Sequence, residues 1–395
     1  MSNARFHHSL AALLLTTAAA LCIATPATAL TINPIFADTY TGPDVGIPVV
    51  SLDGNAEAIA AITAATNQIA SQYANDVTVN LLFYGSHDTT NGFLGASVSG
   101  QTAYSYSQYT DALKADALAH PNNVALNTAV ANLGVGNGAS GPPNTFVVPT
   151  TPDARALGLG AGAPTLGGTG DSSPEFDSTG TFLGGGGTVD AIVFLNLDQP
   201  LSFTRPIQDV SAGIAFDAQT VMEHEIDETL GIGGAGSTLN DLLADPNFAT
   251  DFFGVSGSTF GPLDLYRYAA PGVPSYVANP ALDFSQFAYF SIDGGNTFID
   301  SFNQEAMIFG DAADWGLAQV CAGGVFLGGS GGVQDAFSCN NHQADVVKNS
   351  PEDFALQAIG YNRLPEPTTL SLFGVGLVAA ALRRRRPRER STRTA

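Results

Sequence analysis

The chain has 395 residues, of which 45% are hydrophobic and 13% are charged, and its formal net charge at pH 7 is −22. Between residues 30 and 365, six Lys or Arg residues stand against 34 Asp or Glu residues, so this body carries a formal charge of −28. Such a charge repels nucleic acid and anionic lipid and favours the binding of divalent cations. The solubility of an exported protein is by itself a sufficient alternative explanation of the charge. The apolar content is sufficient for a globular core, which excludes a disordered chain.

The N-terminus has the three parts of a secretory signal peptide. A short polar region containing Arg5 is followed by the apolar run Leu10–Ala24 and by the small residues Ala27-Thr28-Ala29. The apolar run is shorter than the roughly 20 residues that a membrane-spanning helix needs. Residues 1–29 are therefore predicted to be a signal peptide, which signal peptidase removes during export.

The hydrophobic periodicity of the body predicts both helices and strands. Helices are predicted at 55–74, 106–133 with a break at Pro121, 216–230 and 351–359, and strands at 77–84, 189–197 and 288–292. Gly, Ser and Pro clusters between residues 134 and 188 predict loops. This order predicts an α+β fold, a mixed sheet packed with helices. In it, residues 30–232 form an N-terminal part ending in a helix, and residues 233–363 form a loop-rich C-terminal part of the same unit.

The predicted helix at 216–230 carries the residues with the clearest chemistry. His224 and Glu228 are four residues apart, so a helix projects both from one face, and imidazole and carboxylate are normal zinc ligands. Glu225 lies about 100° around the helix from His224. The alternative is an acidic, solvated helix with an incidental histidine. The opposite stripe is apolar and is predicted to pack on the sheet: Met222, Ile226 and Leu230.

A catalytic zinc site normally has three protein ligands, so a third ligand is expected outside this helix. The candidates are Asp264, His342 and His87. Each has an alternative role, because Asp264 could form a salt bridge with Arg267 and the two histidines could be ordinary polar residues.

Two features of the C-terminal part could stabilise it. Cys321 and Cys339 are predicted to pair in an oxidising compartment, and closing a loop of about 17 residues contributes on the order of 3 kcal/mol. The loops at 293–297 and 311–314 contain carboxylates that could hold structural Ca²⁺. They lack the alternating acidic spacing of an EF-hand, which favours ordinary turns.

The C-terminus combines a short box, an apolar segment and a basic cluster. Pro365-Glu366-Pro367 precedes the stretch Leu370–Leu382, which is followed by four arginines, 383–386. Residues 364–395 thereby resemble a PEP-CTERM sorting signal. The resemblance implies that the apolar stretch enters the inner membrane transiently, with the arginines on the cytoplasmic side. It also implies that an exosortase cuts near the box and releases the body to the cell surface, the matrix or the medium.

The helix also resembles a known motif. Residues 224–228 are similar to the His-Glu-x-x-His motif of zincin metallopeptidases, except that Glu228 occupies the position of the second histidine. Gly231 occupies the position of the glycine in the longer metzincin pattern. Gly234 stands where that pattern has its third histidine. Most of residues 55–361 resembles PEP-CTERM-bearing proteins described as metalloproteases, through four segments: 262–268, 289–295, 310–311 and 314–315.

These resemblances imply a zincin-like fold and a secreted zinc-dependent endopeptidase or related hydrolase acting on a peptide or protein. His224 and Glu228 would bind Zn²⁺, and Glu225 would be the general base that takes a proton from water. Glu228 in place of histidine adds negative charge, so weaker or more alkaline catalysis is expected. The alternative is a non-catalytic extracellular or biofilm-matrix protein that retains the scaffold. Ligand atoms about 3–4 Å apart would favour the metal site.

Overall fold

The computed structural model describes residues 29–40, 47–90, 92–134, 145–160, 187–207, 215–244, 246–275, 288–303, 310–316 and 331–364, with a few short strands between these ranges. Helices and several mixed sheets alternate along the described chain, which confirms the α+β class. Apart from Ala29 and Leu364, the predicted signal peptide and sorting segment lie outside these residues. Among the helices described, none has the length and apolar character needed to cross a membrane.

The described α-helices, α1 to α8, are Ala56–Ala70, Tyr106–Ala119, Val124–Ala131, Thr151–Ala156, Ala218–Leu230, Leu239–Ala244, Phe248–Phe253 and Pro351–Ala358. Short 3-10 helices lie at Gly233–Gly236 and Pro262–Tyr266. The described strands, β1 to β20, are Thr31–Phe36, Val49–Val50, Thr78–Ser86, Gly95–Ser99, Tyr104–Ser105, Thr145–Val147, Thr165–Leu166, Glu175–Phe176, Phe182–Leu183, Gly187–Thr188, Ala191–Asn196, Leu201–Ser202, Phe216–Asp217, Ser258–Phe260, Arg267–Ala270, Val273–Pro274, Tyr289–Phe290, Asp300–Ser301, Cys321–Ala322 and Val325–Phe326.

The largest sheet has the strand order β1-β3-β11-β4, and β2 pairs with β3. The strands β1, β3 and β11 run parallel, whereas β4 is antiparallel to β11. Every residue of β11 is buried, as expected for an apolar strand with both faces covered. Side chains alternate between the faces, so Val193 joins the main core and Phe194 a second, smaller cluster.

Helix α5, the predicted motif helix, packs on α1 and on the edge strand β4. Its apolar stripe of Met222, Ile226 and Leu230 is fully buried, as the periodicity predicts. The same core contains Trp315 and Leu356, so residues from both sides of the predicted boundary at 232 pack together. This shared core brings the loops of the C-terminal part against the ligand face of α5.

Several element ends differ from the prediction. The helix expected at 55–74 stops at Ala70, because the chain then turns and Tyr73 pairs with Arg363 in an isolated bridge. The helix expected at 106–133 is divided into α2 and α3 around Pro121, where the break was predicted. A proline has no backbone N–H to continue the helix, and Asn123 then caps the next one by accepting from Leu126.

Candidate metal centre

Helix α5 has a defined start and a defined end. Asp217 caps its first turn, where Oδ2 accepts a hydrogen bond from the Thr220 amide at 3.0 Å. Gly231 ends it with φ of +108°, a left-handed conformation that favours glycine. The helix therefore presents His224 and Glu228 one turn apart on one face.

A third side chain reaches these two from the C-terminal part. His224 Nε2 lies 3.7 Å from Glu228 Oε1 and 3.8 Å from Asp314 Oδ1. One ligand atom from each of the three residues falls within 4.8 Å of the others, and no other such group of three occurs among the described residues. Two atoms 3.7 or 3.8 Å apart can share one ion about 2.0–2.2 Å from each, the bond length of zinc to nitrogen and oxygen.

The imidazole of His224 is held in the orientation that a metal ligand requires. Its Nδ1 lies 3.0 Å from the carbonyl oxygen of Val333, to which the Nδ1–H donates. That bond leaves Nε2 facing the two carboxylates, as in histidine ligands whose second nitrogen is fixed by a backbone carbonyl.

Glu228 is held at both of its oxygens. The hydroxyl of Ser97 on β4 donates to Oε2 at 2.6 Å, and the amide of Gly234 donates to Oε1 at 2.9 Å. A Cβ at Gly234 would lie only 2.7 Å from Asp311 Oδ2 and 2.8 Å from Glu228 Oε1. A side chain at Gly234, where the metzincin pattern has its third histidine, would therefore displace these two carboxylates, and Asp314 reaches the group from another loop.

Glu225 lies beside the three-residue group and against strand β4. Its carboxyl is so close to the backbone there that a Cβ at Gly95 would fall 2.6 Å from Glu225 Oε1. Both Glu225 and Glu228 are only 5% exposed, which argues against the alternative of a solvated acidic helix.

The buried charges strongly perturb one another. Burial alone would lower the pKa of His224, but the carboxylates of Asp314, Glu228 and Glu225 outweigh burial and raise it well above its usual range. Burial and the charge of Glu228 raise the pKa of Glu225, and burial raises the pKa of Asp314 to about 6. Burial also acts to raise the pKa of Glu228, but the hydrogen bond and charge of His224 lower it overall. Such repulsion among carboxylates favours a divalent cation.

A cavity of about 490 Å³ opens beside the group. It is lined by β4 and its approach, by the ligand face of α5 and by two loops of the C-terminal part, including Gly92, Gly95, Phe216, Glu225, Asp311 and Phe337. A cavity of this size is within the usual range for small-molecule or peptide side-chain binding.

The other predicted ligands lie elsewhere. Asp264 is buried and accepts from the Ser237 hydroxyl at 2.7 Å and the Gly261 amide at 2.8 Å, so it organises a 3-10 helix. His342 Nε2 bonds to a backbone carbonyl oxygen, that of Gly331, at 3.0 Å. His87 is largely exposed and pairs with Asp198. The structure therefore brings none of Asp264, His342 and His87 into the group.

From the sequence, Asp314 was considered as part of a loop that could hold calcium and was not predicted to be a zinc ligand. Its neighbour Trp315 is fully buried, and the Trp315 amide donates to the carbonyl of Gln334 at 2.8 Å. These contacts fix the loop so that Asp314 faces α5. The predicted resemblance at residues 314–315 was the available signal. At the other loop, Asp293 Oδ1 accepts from the Thr297 amide at 2.8 Å, which is turn chemistry.

Cys339 is disulfide-bonded. Pairing with Cys321, on β19, stays a prediction. The cysteine lies near the segment 331–336 that contacts His224, so a bond there helps to fix the loop that orients the imidazole.

Residues 364–386 match the family model of the PEP-CTERM protein-sorting motif. The motif implies processing by an exosortase, export and sorting to the cell surface. No curated protein and no solved structure matches the chain. The zincin-like fold and the metalloprotease group therefore stay predictions.

Proposed function

We propose that this protein is an exported zinc-dependent peptidase or a closely related hydrolase. The observation that carries the proposal is the convergence of His224, Glu228 and Asp314, with Glu225 beside them in the same buried cleft. Three protein ligands of nitrogen and oxygen type, with space beside them, correspond to a catalytic rather than a structural zinc site.

The donor set fits a cation on its own chemistry. Nε2 of His224 faces two carboxylates, and Ser97 and Gly234 hold Glu228 by donating hydrogen bonds. When bound, zinc would supply Lewis-acid activation of water and of a substrate carbonyl. Glu225 would accept the proton from water, and its raised pKa makes its carboxylate a stronger base.

The cleft suits an extended peptide. Strand β4 is the edge of the large sheet among the described strands, and residues 92–97 line the cavity. An exposed strand edge can pair with a peptide through backbone hydrogen bonds. A peptide lying along β4 would pass the carboxyl of Glu225, which touches the strand at Gly95. Peptide or protein is therefore the substrate class that we propose.

Processing at both ends completes the proposal. Signal peptidase would remove residues 1–29, and the segment Leu370–Leu382 would hold the chain in the inner membrane until an exosortase releases it. The body of formal charge −28 would then act at the cell surface, in the matrix or in the medium.

The test is metal content and casein hydrolysis by the purified protein, with two variants. Glu225→Gln should retain stoichiometric zinc and lose activity by a factor of about 100 to 10,000, the usual contribution of a general base. His224→Ala should lose both zinc and activity.

A protein that binds zinc but hydrolyses nothing, with wild type and Glu225→Gln equally inactive on a broad peptide library, would favour the non-catalytic matrix protein. Full activity in Glu225→Gln, or no zinc in the wild type, would contradict the proposal. Metal analysis by mass spectrometry should include calcium, manganese and iron, because two of the three ligands are carboxylates.

A further inference from the structure

Gln334 is buried against the three ligand residues, although nothing in its sequence context indicates a metal. Its side chain is 0% exposed. Its backbone is fixed on both sides, because its amide donates to Glu352 Oε1 at 3.1 Å and its carbonyl accepts from the amide of Trp315. The side chain therefore extends from an anchored point toward the group.

The amide nitrogen of Gln334 contacts two of the proposed ligand atoms. Nε2 lies 3.0 Å from His224 Nε2 and 3.0 Å from Asp314 Oδ1. Gly233 leaves the space for it, since a Cβ there would fall 2.2 Å from the same nitrogen. The amide is thus part of the group's immediate surroundings.

These distances are those between two ligands of one ion. Atoms that share an ion at about 2.1 Å lie roughly 3.0–3.4 Å apart when the bonds meet at roughly 90–110°. An atom at the ion's own position would instead lie about 2.1 Å from each ligand. Gln334 Nε2, at 3.0 Å, therefore stands where a further ligand would stand.

The oxygen of the same amide has no partner. Oε1 of Gln334 is buried and makes no hydrogen bond within the described part of the chain. A buried amide oxygen without a donor is costly, by about 1–3 kcal/mol. An amide nitrogen has no lone pair to offer a cation, whereas an amide oxygen is an ordinary ligand for hard cations and can serve zinc.

We propose that Gln334 is a fourth ligand of the metal centre, and that its side-chain amide turns over when the cation binds. Without a cation, Nε2 donates to Asp314 Oδ1 and lies 3.0 Å from His224 Nε2. With the cation, His224 Nε2 and Asp314 Oδ1 ligate it, the nitrogen loses Asp314 Oδ1 as its acceptor, and rotation by about half a turn brings Oε1 to the same point. This inference rests on the proposed zinc site, to which it adds a ligand and a two-state residue, so the catalytic water would take a fifth position on the zinc.

Zinc affinity of the purified protein, measured by competition with a chelator, tests the inference. Gln334→Leu removes the oxygen and should weaken zinc binding about 10- to 100-fold. Gln334→Glu keeps an oxygen at the same reach and should bind zinc at least as tightly as wild type. Gln199→Leu is the matched control: it lines the same cavity outside the ligand group and should leave the affinity unchanged.

A second measurement does not depend on the leucine variant folding. The side-chain NH₂ signal of Gln334 in ¹⁵N-labelled wild type, identified by its absence in Gln334→Glu, should shift when zinc is added. It should not shift when zinc is added to His224→Ala.

If Gln334→Leu binds zinc as tightly as wild type, or more tightly, the amide only fills space. An NH₂ signal that does not shift when zinc is added would lead to the same conclusion. Either result overturns the inference while the zinc site stands. A wild-type protein that takes up no zinc would overturn the zinc site itself, and with it the fourth ligand.

Discussion

At the scale of single residues, the site depends on side chains that look alike in sequence and differ in surroundings. Asp264 and Asp314 are both buried carboxylates of the C-terminal part. Both carboxylate oxygens of Asp264 accept hydrogen bonds from N–H and O–H donors of the protein, so they are already occupied. Asp314 faces an imidazole and another carboxylate. Burial alone therefore does not identify a ligand, whereas the partners do.

Replacing each aspartate by asparagine separates these roles. Asp314→Asn should weaken zinc affinity by roughly a hundredfold, because the neutral amide oxygen that replaces the carboxylate is a weaker zinc ligand. Asp264→Asn should lower stability and leave zinc affinity unchanged. Chelator competition and urea unfolding on both variants check this. Equal zinc affinity in Asp314→Asn and wild type would remove Asp314 from the site.

Gly95 offers a second test at this scale. Gly95→Ala places a methyl group 2.6 Å from Glu225 Oε1, so the flexible end of the glutamate must move. We expect hydrolysis to fall by up to about a hundredfold, the effect of displacing a catalytic group by about 1 Å. Zinc content should stay unchanged, because the three atoms nearest to the added methyl group all belong to Glu225, which is not one of the ligands. Activity at the wild-type level would mean that Glu225 has room elsewhere and keeps its function.

At the scale of elements, the ends of α5 position the chemistry. The cap residue Asp217 also pairs with Arg205, which contacts Asp345 near the C-terminal helix α8. Arg205 further donates to the carbonyl of Ala344 at 3.0 Å. One arginine thus ties the start of the motif helix to the segment that precedes α8. The helix cannot shift along its axis without breaking these bonds.

Two replacements of Asp217 distinguish capping from charge. Asp217→Ala removes both and should lower the free energy of unfolding by about 2 kcal/mol, the upper end for a lost cap. Asp217→Asn keeps the capping oxygen and should cost clearly less. Urea unfolding monitored by circular dichroism gives both values. An equal loss in the two variants would assign the effect to Arg205 pairing instead.

At the scale of the whole molecule, the cleft is built from distant parts of one chain. Strand β4, helix α5 and the loops at 310–316 and 331–338 all line it, and they share a core with residues from Leu30 to Tyr361. The carboxylates within it repel one another, so the folded protein without a cation holds protons instead. For Asp314, whose pKa is raised to about 6, the stabilisation from the bound proton is present at low pH and is lost as pH rises through 6.

Zinc should therefore stabilise the protein more at pH 8 than at pH 5, where protons compete for the same atoms. At a hundredfold excess over the dissociation constant, the expected rise in Tm at pH 8 is roughly 5 °C. Thermal unfolding with zinc and with a chelator at both values of pH measures the difference. Asp314→Asn should reduce it. A rise that is equal at pH 5 and pH 8 would mean that zinc binds away from these carboxylates.

The sequence by itself determined the features that local geometry controls. The four-residue spacing of His224 and Glu228 on a helix, the apolar stripe of α5 and the buried strand β11 depend only on neighbours in the chain, whose positions are set by backbone periodicity. The sorting motif is likewise a linear pattern.

Only the tertiary structure decided which distant residues complete the site. Asp314 and Gln334 lie far along the chain from His224, and their loops have no periodic pattern that would place them. Packing of Trp315 in the core and hydrogen bonds of the segment 333–335 bring them to α5. The same folding places Gly234 against two carboxylates and directs Asp264 to the start of a 3-10 helix. Contacts of this kind depend on the summed packing of the whole chain, which linear spacing does not encode.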